Sequence, residues 1–264
     1  MSTRNRPYFE EDGFCLLKGD SFKILKNIEP KSIDVIFADP PYFLSSGGIT
    51  CQSGHAISVN KGNWDKTLSP EDKLKWNRKW IKLCRQVLKD DGTIWISGTA
   101  HNIYSIGVAL ELEGFSIVNN VTWQKTNPPP NLACRCFTNS TETVLWARKQ
   151  LTPKKKGKHF FDYASMKAIN GGKQMKDVWI FNAPGKKEKR CGKHPTQKPL
   201  ALLERIILAS TRSGDLVLDP FNGSGTTGIA CKKLSRRYIG IDNSEEYLEL
   251  TVKRLNELIG GNDK

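Results

Sequence analysis

The chain has 264 residues, 38% of them hydrophobic and 26% charged, a balance that fits a globular domain with a sizeable core and excludes a disordered or fibrous chain. Lys and Arg outnumber Asp and Glu by 41 to 27, a formal net charge of +14 that suits a polyanionic partner. No apolar run approaches the ~20 residues of a membrane span. The opening MSTRNRPYFEEDG lacks the apolar centre of a secretory signal, so a cytoplasmic location is expected. The cysteines, at 15, 51, 84, 134, 136, 191 and 231, include no CxxC pair and read as reduced thiols. Cys191 and His194 lack a second ligand pair, and no metal site is expected.

In chain order, GFCLLKGDSFKIL (13–25) reads as a short strand, a turn at Gly19-Asp20 and the opening of a helix. IDVIFA (33–38) is a continuous apolar run, the pattern of a parallel strand buried on both faces, and Pro40-Pro41 forbids its continuation. Residues 43–68 carry Gly47, Gly48, Gly54 and Gly62 without periodicity and read as a long mobile loop, of the kind that is functional or disordered. A helix is expected over 70–89, ended by Asp91-Gly92, then a strand at TIWIS (93–97), a helix over 102–113 and a strand over 115–123.

From Asn127 the texture changes: three prolines precede polar, basic sequence with two plausible strands, at Thr143–Ala147 and Val178–Phe181. Residues 127–190 therefore read as a small inserted or appended basic module between two halves of one domain, 1–126 and 191–264. Basic side chains cluster at Lys154, Lys155, Lys156 and Lys158, and again at Lys186, Lys187, Lys189, Arg190 and Lys193. Order returns with a helix from Pro199 to about Thr211, a strand (216–218), a glycine turn, a helix from Thr226, a strand (238–241) and a last helix from Ser244. Strands alternating with helices indicate an α/β fold with a doubly wound, mostly parallel sheet.

Two motifs carry chemistry. In DLVLDPFNGSGTTGIA (215–230) a strand ends at Asp219, and Gly223, Gly225 and Gly228 fit GxGxxG, the spacing of a tight turn that lets a ligand approach the backbone. Asp242 ends the following strand, where a carboxylate can accept hydrogen bonds from both ribose hydroxyls. A dinucleotide site is the competing reading. Asp219 opposes it, because a carboxylate at the mouth of the loop repels a pyrophosphate and attracts an ammonium group such as that of S-adenosylmethionine. The second motif is Asp39-Pro40-Pro41-Tyr42, at the carboxyl end of a buried strand, where open α/β sheets place ligands. Exocyclic N6 of adenine is a poor nucleophile because its lone pair is delocalised into the ring. The Asp39 carboxylate and the Pro40 carbonyl, held in direction by Pro41, can each accept one of its N–H bonds, and Tyr42 offers a face to an extruded base. A strand end followed by a plain turn is the alternative for the tetrapeptide taken alone.

Together these segments resemble the amino-methyltransferases of restriction–modification systems, specifically the β-type N6-adenine enzymes, over about 1–126 and 191–264. In that resemblance GDSFKIL places Asp20 and Ser21 near the cofactor adenine. Asp39–Tyr42 is the catalytic tetrapeptide. HPTQKP (194–199) brings Thr196 and Lys198 to the methionine carboxylate, and DPFNGSGTT with IGID brings Asp219, Phe221, Gly223, Ser224, Gly225, Thr226 and Asp242 to the cofactor. Asp39 borders both sites. Catalytic motif before cofactor motif implies a circularly permuted methyltransferase sheet, and 127–190 takes the place of a target-recognition region. VTWQKTNPPPN (121–131) implies that Trp123 and Lys125 lie near the target base, a core position being the other reading for Trp123. FADPPYFLS, KGNWDK, ISGTAHNIYS, STETVLWARK and KQMKDVW narrow the resemblance to the DpnA-type methylases of GATC systems. That implies adenine methylation in GATC on double-stranded and also single-stranded DNA, with a homodimer as the expected assembly.

Arg135, Asn139 and Gln174 are candidates for reading base edges, and Lys154 and Lys155 for holding phosphates. Four rivals remain open: an N4-cytosine methyltransferase, which usually carries Ser where Asp39 stands; a nucleic-acid-binding protein with an inactive methyltransferase fold; a nicotinamide-dependent oxidoreductase; and a methyltransferase acting on RNA or protein.

Overall fold

The computed structural model describes residues 6–260 except 44–48, 53–54, 59–66, 129, 132–133, 153 and 157; for 49–52, 55–58 and 155–156 it describes the backbone alone. The strands are β1 (Phe9–Glu11), β2 (Phe14–Lys18), β3 (Ile33–Ala38), β4 (Ile49–Gln52), β5 (His55–Ser58), β6 (Leu88–Gly98), β7 (Phe115–Gln124), β8 (Thr141–Thr152), β9 (Lys155–Lys156), β10 (Val178–Ile180), β11 (Leu216–Asp219) and β12 (Arg237–Asp242). The helices are α1 (Ser21–Leu25), α2 (Pro70–Val87), α3 (Ile103–Leu112), α4 (Tyr163–Ile169), α5 (Leu200–Ser210), α6 (Thr226–Lys233) and α7 (Glu245–Gly260).

One sheet runs β1-β2-β12-β11-β3-β6-β8-β7-β10, with β9 paired to β8. The pairs from β2 through β12, β11 and β3 to β6 are parallel, as is β10 with β7, whereas β8 runs antiparallel to both its neighbours. Side-chain alternation assigns the layers. On β3, Ile36 and Ala38 pack with α1, α2 and α3, while Val35 and Phe37 pack with α5, α6 and α7. Burial on both faces explains why IDVIFA is apolar at nearly every position.

Local chemistry sets the helix boundaries. Ser69 caps α2 by accepting from Asp72 N at 3.1 Å, Pro70 occupies the first turn, and Trp80, Ile81, Cys84 and Val87 form its buried stripe. Gly225 begins α6 at φ +71°, and a Cβ there would lie 2.3 Å from Thr251 Cγ2. Only glycine fits both the backbone and the space.

The structure departs from the sequence-based expectation in several places. Residues 43–68 are not wholly irregular: β4 and β5 pair antiparallel, Gln52 opposite His55. Within 127–190, β8 lies inside the main sheet, pairing Ile94 with Ala147 and Ile117 with Ala147. Among the described residues no helix is long and apolar enough to cross a membrane.

Candidate active site

The parallel pairing of β11 with β3 (Leu218 beside Ile36) brings together two motifs that lie 180 residues apart in the chain, Asp39 and Asp219. Both strands end at the same edge of the sheet, and a cavity of about 260 Å³ opens there. Its lining includes Asp20, Ser21, Asp39, Pro40, Pro41, Tyr42, Thr196, Lys198, Asp219, Phe221, Gly223, Ser224, Thr226 and Asp242. Every expected cofactor residue except Gly225 therefore faces one space, and Gly225 shapes the loop that bounds it. The sequence reading missed Phe22, Trp76, His194 and Tyr247, which also line the cavity. Phe22, Trp76 and Tyr247 sit on helices that carry no local signal for a pocket, and His194 lies in the segment ahead of α5.

The cofactor end is built mainly from backbone donors. Asp242 accepts from Gly223 N at 2.8 Å and Ser244 N at 2.9 Å, one bond on each oxygen. Asp219 accepts from Phe221 N at 3.0 Å and from the Thr227 hydroxyl at 2.6 Å. Burial pushes the Asp219 carboxyl up to about 7 and raises that of Asp242 as well, because among the described residues neither has a cationic partner to offset its desolvation. Ser21 donates to the Pro220 carbonyl at 2.5 Å, and Gly19 N to the Asp242 carbonyl at 2.9 Å, so α1 and the glycine loop form one wall. Phe221 packs edge-on against Trp80, ring centroids 5.4 Å apart, and lies 5.9 Å from Trp76.

The tetrapeptide end is built from side chains. Asp39 Oδ1 accepts from the Ser97 hydroxyl at 2.5 Å and the Tyr42 hydroxyl at 2.7 Å, while its Oδ2 meets Lys198 Nζ at 2.6 Å. Tyr42 also donates to Glu142 Oε2 at 3.2 Å. Glu142 sits 3.5 Å from Lys198 Nζ and 2.6 Å from Lys125 Nζ. Burial opposes ionisation of Glu142, but the two ammonium groups outweigh it and hold its carboxyl below the usual range. For Lys198 burial pulls downward, and Asp39 with Glu142 overcomes it, so the ammonium is held above its usual range. The Pro40 carbonyl accepts no hydrogen bond among the described residues. Asn102 Nδ2 donates to the Pro41 carbonyl at 3.3 Å and fixes the turn.

Several expectations change here. Lys198, expected at the methionine carboxylate, lines the cavity with its ammonium on Asp39. Tyr42 is 7% exposed with Lys198 5.2 Å above its ring, so the ring offers no open face in this conformation. Trp123 is 2% exposed and donates to the Phe181 carbonyl at 2.9 Å, a core aromatic rather than a base contact. Lys125 does reach the site, through Glu142. Ser97 and Glu142 are site residues the sequence reading missed.

The expected DNA contacts separate by edge. Lys125 N donates to the Ser140 carbonyl, so the exposed segment holding Arg135 and Asn139 projects from the cavity edge of the sheet. The same segment carries Phe137, 97% exposed. Lys154 and Lys155 follow the far end of β8, whose Arg148 pairs with Thr93 at the start of the straight run of β6, and so lie at the opposite edge. Gln174 is exposed ahead of β10. The basic cluster 186–193 leads directly into the cavity residues His194–Lys198.

The donor set fits a cationic nucleoside: a carboxylate at the end of β12 for ribose hydroxyls, uncompensated acid at the glycine loop for positive charge, and an aromatic wall. Among the described residues no group of three or more His, Cys, Asp or Glu is placed to hold a metal ion.

Comparison with known proteins agrees. The family model described as DNA methylase, for N6- and N4-directed enzymes, matches residues 33–253. The Type II methyltransferase M2.DpnII of Streptococcus pneumoniae is 60% identical over 250 residues, which is 95% of this chain and 92% of that protein. M2.LlaDCHI of Lactococcus lactis subsp. cremoris is 59% identical over 252 residues, 96% of this chain and 93% of that protein. Among solved structures, the M1.HpyAVI–SAM complex matches with a TM-score of 0.67 and 31% identity, covering 91% of this chain and 98% of that one. The cytosine-N4-specific PvuII DNA methyltransferase reaches a TM-score of 0.75 at 20% identity over 97% and 96% of the two chains, a likeness of fold alone.

Proposed function

The chain belongs to the family of N6- and N4-directed DNA methylases, and within that family we propose that it methylates N6 of adenine, in GATC, beside a restriction system. It is a DNA methyltransferase that uses S-adenosylmethionine. The observation that carries the adenine reading is Asp39: a carboxylate at the end of β3, next to the strand of the glycine loop, with the unpartnered Pro40 carbonyl beside it.

When bound, S-adenosylmethionine supplies a methyl group on a positively charged sulfur. Asp242 takes the ribose hydroxyls with the acceptor capacity its two backbone bonds leave. Asp219 and the loop Gly223–Thr226 hold the cationic end, and Thr196 borders it. Asp39 and the Pro40 carbonyl each accept one N–H of the target amine, which directs its lone pair, and Asp39 receives the proton the nitrogen gives up. We read the strand order, with the tetrapeptide strand before the glycine-loop strand in the chain, as a circular permutation of the methyltransferase sheet. The loop around Arg135, Phe137 and Asn139, with the cluster 186–193, serves as the DNA-facing rim, holding phosphates and bases at the cavity edge. The chain acts in the cytoplasm.

The test is transfer of tritiated methyl to a mixed DNA substrate, followed by nucleoside chromatography and mapping of protected sites. Label in N6-methyladenine at GATC supports the whole reading. Label in N4-methylcytosine overturns the base assignment, and N6-methyladenine elsewhere overturns the site.

A further inference from the structure

Asp39 faces a conflict. To accept a proton from the target amine it needs a free lone pair directed at the cavity, yet hydroxyls of Ser97 and Tyr42 hold Oδ1, and Lys198 stands on Oδ2 at 2.6 Å. An ammonium at that distance competes directly with an incoming N–H. Lys198 is 6% exposed and cannot retreat into water. Leaving its carboxylate without another partner would strand a buried charge, which is costly.

A second acceptor is in place. Glu142 Oε2 lies 3.5 Å from Lys198 Nζ, and the Glu142 side chain is only 11% exposed. Its other oxygen is fixed by Lys125 at 2.6 Å, and the Tyr42 hydroxyl reaches Oε2 at 3.2 Å. Two carboxylates and two ammonium groups thus share one buried cluster. A shift of Lys198 of about one ångström toward Glu142 exchanges one ion pair for another.

We infer that Glu142 is a positioning residue for methyl transfer: it receives the Lys198 ammonium when the target amine takes its place on Asp39, so that the acceptor is freed without leaving a buried cation unpaired. The inference rests on Asp39 being the amine acceptor. Glu142 touches neither substrate nor cofactor in this role. It acts on the position of Lys198, and through Lys198 on the availability of Asp39.

The experiment compares Glu142→Gln and Glu142→Asp with the wild-type protein in single-turnover methylation of GATC duplex, alongside direct titration of S-adenosylmethionine binding and thermal melting. Glu142→Gln is expected to slow the transfer step more than tenfold while the cofactor dissociation constant stays within about threefold. Glu142→Asp, which keeps the charge, is expected to recover much of the rate. In Glu142→Gln the buried Lys198 keeps one counter-charge instead of two, so its proton is released at lower pH. The deficit should therefore shrink as pH is raised from 7.5 to 9.5, a response that simple loss of packing would not give. The groups facing Lys198 in this titration are Asp39, Glu142 and the Tyr42 ring and hydroxyl.

An unchanged transfer rate in Glu142→Gln overturns the inference, as does a loss confined to cofactor affinity or one that is the same at every pH. If Glu142→Gln melts before assay, Glu142→Asp decides on the same three readouts. Asp39→Asn, run in parallel, separates the two levels: if it keeps substantial activity, the Asp39 reading itself fails. If it is inactive while Glu142→Gln is normal, only the present inference fails.

Discussion

The two ends of the cavity treat buried acid in opposite ways. At the glycine loop, Asp219 and Asp242 are held by backbone N–H groups and a threonine hydroxyl with no cation beside them among the described residues, and burial raises both. At the tetrapeptide, Asp39 and Glu142 are matched by Lys198 and Lys125. The first end carries an uncompensated demand for positive charge, which a cationic cofactor satisfies. The second is neutral before any ligand arrives, so its electrostatics reward rearrangement rather than charge capture. Binding and chemistry are thereby given different physical bases in one cleft.

The sharpest break in that contrast is Asp39→Ala. Methyl transfer should fall by about a thousandfold or more, as expected when a group acting in the transition state is removed, while cofactor binding stays within about threefold. Filter binding with labelled cofactor beside a turnover assay measures both. A parallel loss of cofactor affinity would merge the two ends into one functional unit.

Next in size is Gly225→Ala. The left-handed backbone and the 2.3 Å approach to Thr251 Cγ2 predict a loss of roughly 2–4 kcal/mol, read by denaturant unfolding, together with loss of cofactor binding. The tetrapeptide end should not be the cause of any residual defect, since Gly225 has no part in it.

Asp219→Asn tests the sign of the charge argument. The carboxyl of Asp219 is raised from 3.8 to about 7, so the folded protein holds a proton that the unfolded chain releases. Stability from this group is therefore present at low pH and lost as pH rises from about 4 through about 7. At pH 8 the amide should stabilise the cofactor-free protein by roughly 1–3 kcal/mol and weaken cofactor binding at least tenfold. The wild-type protein should also bind cofactor less tightly as pH falls below about 7, where Asp219 becomes neutral. Calorimetry across pH 6–8.5 checks both statements, and a destabilised Asp219→Asn would refute the assignment.

The smallest expected effect lies on the rim. Replacing Lys186 and Lys187 with Ala should weaken DNA binding uniformly across sequences and lower the salt slope by about one to two. The same pair of changes at Lys154 and Lys155, which lie at the other edge, should leave the slope unaltered. Equal effects would refute the division of the two basic clusters.

How much of this was legible in the sequence depends on the range of the signal. Strand β3 announced itself because burial on both faces demands an unbroken apolar run, and Pro40-Pro41 fixed its end. The glycine turn was legible because positive φ at Gly223 and Gly225 is a local demand that few other residues meet. Helix α2 was legible because its apolar residues recur at helical spacing, the stripe that Trp80, Ile81, Cys84 and Val87 bury. The short α4 and β1 were missed, since a turn or two of helix and three residues of edge strand leave almost no periodicity.

The sequence by itself determined the alternating elements, the two motifs and the residue types that meet a cationic nucleoside and an amine, because each is a constraint between near neighbours. Only the tertiary structure decided the rest. It put β8 inside the sheet, buried Trp123, sent Lys154 and Lys155 to the far edge, and set Ser97 and Glu142 around Asp39. Those outcomes depend on strand register, and register is fixed by pairing between segments up to 224 residues apart, as where Tyr238 of β12 lies beside Phe14 of β2. A lone glutamate in TETVLWARK has no local pattern to mark it. It becomes part of the site because β8 pairs Thr143 with Gly98 at the same sheet edge, and so sets Glu142 beside the end of β6 and next to the half-buried Lys125 and the buried Lys198.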